Sequence, residues 1–140
     1  MCAGMVLRFL RLQDVVKGKG EASTAYLFAN AYLLAPEDRQ SLLDRMAREK
    51  AVAIWCYAPG YLDPSLTLDG MKACTRMDVQ QCDVGAQSGS VYGLDGGAWI
   101  SKGVEIGIQQ PWAPLFTVNP EGLDVLATYK DRKSTRLNSS

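Results

Sequence analysis

Seven consecutive apolar residues, Ala51-Val52-Ala53-Ile54-Trp55-Cys56-Tyr57, follow directly on a segment with helical periodicity. A run of that length and composition predicts a strand, and a strand apolar on both faces belongs in a covered, mostly parallel sheet. In the preceding segment, Pro36 suits the first helical position, and Glu37 and Asp38 oppose the positive helix end. Leu42, Leu43, Met46 and Ala47 form one apolar stripe, with Arg39, Asp44, Arg45 and Arg48 expected away from it, and Glu49-Lys50 closes the helix. Upstream, residues 24–30 are a short apolar and aromatic run that predicts another buried strand. Strand, helix and strand with short links make a βαβ unit with a right-handed crossover, so the fold class is α/β.

The rest of the chain is read around that unit. Val6-Leu7-Arg8-Phe9-Leu10-Arg11-Leu12 alternates loosely and predicts a strand running into a turn at residues 14–20. Residues 58–64 form a loop at the carboxyl end of the second strand, where open α/β sheets bind ligands. Residues 67–74 predict a short helix capped by Ser65 or Thr67. The glycine-rich residues 85–103 predict loops and short β-hairpins. Residues 104–108, 115–118 and 123–129 predict short strands, and residues 111–114 a turn.

Composition excludes several chemistries. The 140 residues contain no histidine, so no Ser-His-Asp or Cys-His relay and no His-ligated metal site can be built within the chain. Fifteen basic and fifteen acidic residues cancel, which argues against a broad phosphate-binding surface and a nucleic-acid partner. Cys2, Cys56, Cys74 and Cys82 include no C-x-x-C pair, so neither a zinc knuckle nor a disulfide framework is indicated. The longest apolar run is far short of a membrane span, and the first residues lack the apolar core of a signal peptide. A reduced, cytoplasmic domain is expected, with no metal and no cofactor.

Both ends read as cut. Asp131-Arg132-Lys133-Ser134-Thr135-Arg136-Leu137-Asn138-Ser139-Ser140 is reproduced residue for residue by translating a codon string that resembles a common short-read sequencing adapter. Residues 131–140 are therefore expected to be an artefactual disordered tail, and residues 1–130 a truncated domain. The tail carries three cations and one anion, which leaves the domain with 12 basic and 14 acidic residues. At the other end, the chain opens on a strand with little before it to pair against.

Candidate sites follow from residue type and place. Cys56 after an apolar strand suggests a nucleophile at a strand–helix elbow, but no histidine is present to generate the thiolate. Asp63, Asp69, Asp78, Asp83 and Asp95 could supply a carboxylate pair by type alone, and nothing in the sequence brings two of them into one cleft. The glycine-rich stretch lacks phosphate-loop spacing, since its lysine, Lys102, is followed by glycine. Tyr57, Tyr61, Trp99 and Trp112 lie near predicted loops, where aromatics stack on sugars or anchor partner subunits. Tyr57, Pro59, Gly60, Tyr61 and Trp112 are the candidate interface or sugar-contact residues.

Ala25-Tyr26-Leu27-Phe28-Ala29-Asn30-Ala31-Tyr32-Leu33-Leu34, the helix start Pro36-Glu37-Asp38-Arg39, and Ala53-Ile54-Trp55-Cys56-Tyr57-Ala58-Pro59-Gly60-Tyr61 together resemble the trimerisation domain of family-42 β-galactosidases and related glycosidases. Leu68-Asp69-Gly70-Met71-Lys72-Ala73-Cys74-Thr75 looks like the segment that follows in that family, with departures at Cys74 and Arg76. The family's later strands resemble residues 114–118 and 126–129, so the resemblance covers residues 10–130 and is strongest over 25–74. It implies a flavodoxin-like domain similar to class I glutamine amidotransferases: a mostly parallel sheet with flanking helices, incomplete at both ends, with a Gly-rich hairpin region. It further implies a non-catalytic accessory role beside a (β/α)8 barrel that carries the catalytic carboxylates, and a homo-oligomer, trimeric in the family. No catalytic residue carries over. Without the family's continuation past Lys130, an uncovered sheet edge should leave the chain poorly stable or sticky. Two other readings are a stand-alone amidotransferase-like or hydrolase enzyme using Cys56, and a sugar-binding module.

Overall fold

The computed structural model describes residues 6–62, 66–82, 87–88, 91–93, 104–107, 111–125 and 127–129. The chain packs as two compact units, Met1–Met77 and Asp78–Ser140. The first contains α1 (Leu12–Val16), β1 (Ala25–Phe28), α2 (Pro36–Glu49), β2 (Val52–Trp55) and α3 (Leu68–Thr75). β1 and β2 are parallel, with Ala25 opposite Val52 and Phe28 opposite Trp55, and α2 connects them as the sequence predicts.

α2 begins at Pro36, with Glu37 and Asp38 in its first turn and Arg48 in its last. It ends on Lys50, whose φ of 52° is left-handed and whose N–H donates to the Ala47 carbonyl oxygen at 3.2 Å. Ala51 N–H then donates to the Met46 carbonyl at 2.9 Å, which satisfies a second terminal carbonyl and turns the chain into β2. Leu42 and Met46 are buried on α2 against Val15 of α1, Tyr26 and Phe28 of β1, Ala31 and Leu34 just beyond β1, and Cys74 of α3. The rings of Phe28 and Trp55 stack with centroids 4.3 Å apart across the two strands.

Three sequence expectations for this unit need correction. Residues 6–12 do not form a strand: residues 6–11 have no regular structure and Leu12 opens α1. Leu12, Val15 and Val16 recur at helical spacing, and Val15 is drawn into the core. Second, the strand pair is not covered on both faces. Tyr26 and Phe28 are buried, whereas Leu27, Val52 and Ile54 are 66%, 61% and 47% exposed. Third, Arg45 does not lie away from the apolar stripe. It sits three residues beyond Leu42 on the same face and is only 3% exposed.

That burial is compensated. Arg45 Nη1 donates to the carbonyls of Val15 (3.0 Å) and Lys19 (2.6 Å), and Nη2 to those of Gly20 (3.2 Å) and Glu21 (3.4 Å). Its Nε pairs with Glu49 Oε1 at 2.9 Å, one helical turn on. Glu49 Oε2 accepts the Tyr26 hydroxyl at 2.6 Å and the Ser23 N–H at 3.2 Å, and the Tyr26 ring lies 5.5 Å from the guanidinium. The Tyr26 hydrogen bond holds the Glu49 carboxyl below its ordinary range, with the Ser23 N–H and Arg45 adding to the effect and burial opposing it. Burial first, and then the bond to Glu49, pushes the Tyr26 phenol up, with Arg45 opposing.

α3 starts and ends one residue later than predicted, with Thr67 at its N-cap making no side-chain capping bond. In the second unit, β3 (Val79–Cys82) and β8 (Leu115–Val118) pair antiparallel, with Val79, Leu115 and Phe116 buried. β4 (Gln87–Ser88) pairs with β7 (Pro111–Trp112), so residues 111–112 are strand where a turn was expected. β5 (Val91–Gly93) lies between β6 (Glu105–Ile106) and β9 (Ala127–Tyr129), also antiparallel. Residues 123–125 stay outside β9, contrary to the predicted longer strand. Among the described residues the β1–β2 pair is parallel and the other pairs are antiparallel, so the mixture is α/β in the loose sense. The predicted tail, residues 131–140, lies outside the described residues.

Arg45→Met removes the guanidinium donors from the carbonyls of Val15, Lys19, Gly20 and Glu21 and from Glu49 Oε1, and should cost about 3–5 kcal/mol in urea unfolding. Arg45→Lys should not restore the midpoint, because an ammonium lacks the forked donor set. Lys50→Gly should raise stability by roughly 1 kcal/mol by relieving the left-handed backbone. Glu49 contributes fully above the ordinary glutamate value of about 4.3, and that contribution is lost as pH falls through its lower folded value. Tyr26 contributes fully below about pH 10 and its share is lost as pH rises through its higher folded value. The urea midpoint of Glu49→Gln should therefore fall less steeply than wild type on acidification.

Candidate functional site

The carboxyl ends of β1 and β2 carry two loops that the backbone fastens together. Cys56 N–H donates to the Phe28 carbonyl at 3.0 Å and continues the ladder past the strand end. Gly60 N–H donates to Ala31 at 2.8 Å, and Leu62 N–H donates to Tyr32 at 3.0 Å. The strings that carry the family resemblance, residues 28–32 and 57–61, are thus side by side. Tyr32 and Tyr57 meet edge to face, with centroids 6.2 Å apart at 84°. Tyr57 takes a left-handed φ of 60°, which a non-glycine residue adopts at a cost of about 1–2 kcal/mol.

The second loop is also wedged against α3. Gly60 has a φ of 70°, and a Cβ there would come within 2.9 Å of both Cys74 Sγ and the Gly70 carbonyl oxygen. A Cβ on Gly70 would run into the Gly60 carbonyl. The two glycines therefore let loop and helix touch backbone to backbone. Arg39 of α2 donates from Nη1 to the Gly70 carbonyl at 3.2 Å and ties α3 to the crossover helix.

The sequence-derived contact residues divide accordingly. Tyr57 is 38% exposed and Tyr61 half-buried. Pro59 and Gly60, considered for a contact surface, are buried and serve packing. Trp112 lies in β7 of the second unit, paired with Gln87, and only its backbone is described. Cys56 is half-buried and Cys74 buried. Asp69 and Asp78 are exposed, while Asp63, Asp83, Asp95, Trp99 and Lys102 lie outside the described residues. Among the described residues, no group of three or more His, Cys, Asp or Glu converges on a point where a metal could sit. No helix among them is long and apolar enough to cross a membrane. Tyr26 and Glu49, whose pKa values are displaced, meet beside Ser23 at the amino end of β1, away from the ligand-binding edge of an α/β sheet.

Sequence reasoning did not single out Tyr32 as a partner of Tyr57, nor Gly70 as a partner of Gly60. The available signals were Tyr32 just beyond a strand and Gly70 inside a predicted helix, where glycine is otherwise unfavourable. Gly70→Ala should lower stability by about 1–3 kcal/mol despite its better helix propensity, a sign reversal that thermal unfolding would detect. Comparison of the chain with protein-family models, with curated proteins and with solved structures finds no match.

Proposed function

We propose that the chain is a flavodoxin-like, non-catalytic accessory domain of a cytoplasmic glycoside hydrolase, whose role is to bury apolar surface against neighbouring protein. The observation that carries this reading is the uncovered face of the β1–β2 pair. Register places Ala25 beside Val52 and Leu27 beside Ile54, all exposed and all apolar. Parallel strands occur almost only where both faces are covered, because helical crossovers pack on either side. Here α2 and α1 cover the Tyr26/Phe28 face alone. The three large side chains of the other face, Leu27, Val52 and Ile54, form one contiguous exposed apolar patch, the kind of surface that is often functional.

The family resemblance supplies the kind of partner: the (β/α)8 barrel of the parent enzyme and further copies of this domain. The joined loops at the strand ends support it, since the two strings of the resemblance at residues 28–32 and 57–61 pack together.

Sedimentation velocity over a range of concentrations, with hydrolase and glutaminase assays on the same sample, tests the reading. The expected result is concentration-dependent association, reduced by the pair Leu27→Lys and Ile54→Glu, which places opposite charges on cross-strand partners, with no turnover. Both positions are exposed in the free chain, so each substitution should change folding stability by no more than about 0.5 kcal/mol. A monomer at every concentration that hydrolyses substrate, with turnover abolished by Cys56→Ala, would overturn the proposal in favour of a stand-alone enzyme.

A further inference from the structure

We draw no further inference here: the strongest candidate beyond the uncovered β1–β2 face already described, the Tyr32–Tyr57 ring pair on the loops at the carboxyl ends of β1 and β2, is accounted for by packing between those loops, and nothing in the structure shows what would cover or bind it.

Discussion

The first unit is organised around one buried cation. Residues 17–24 between α1 and β1 form no helix or strand of their own, so their backbone carbonyls need donors from elsewhere. Arg45 supplies several from a single guanidinium, which fixes the connection onto the face of α2. A buried charge alone would be costly, and Glu49 offsets it one turn later while accepting from Tyr26 and Ser23. The same network thereby ties helix, connection and first strand at the amino end of the sheet.

At the opposite end of the strands the constraint is steric. Two glycines remove the side chains that would separate the loop after β2 from α3, and Gly60 adopts a left-handed backbone that suits glycine. Backbone hydrogen bonds then fasten that loop to the one after β1. The strand pair is thus anchored at both ends and covered on one face. Its other face presents Leu27, Val52 and Ile54 to solvent, and the proposal of an association surface starts there.

How legible this was in the sequence depended on the range of the interactions. The limits of α2 followed from Pro36, the acidic first turn and the apolar stripe, all local signals. Both strands of the parallel pair followed from composition and length. Arg45 reads as solvent-facing because charge normally marks that side, and the carbonyls brought to it by a distant connection, together with Glu49, make its burial affordable. Residues 6–12 alternate loosely as a strand would, whereas Leu12, Val15 and Val16 carry the helical spacing that α1 follows. Residues 111–114 read locally as a turn, whereas the partners that make Pro111 and Trp112 a strand, Ser88 and Gln87, lie far back in the chain.

By itself, the sequence determined a strand–helix–strand unit with a loop at its carboxyl end, and, through the lack of histidine, that these residues include no imidazole relay. Those properties depend on residue type and on spacing along a single element, which a linear string records completely. Tertiary structure alone decided which face of the strand pair is covered, where Arg45 finds its acceptors, and that Tyr57 meets Tyr32. Each of these joins segments far apart in the chain, and the energy of such a contact is set by geometry in space that no local pattern encodes.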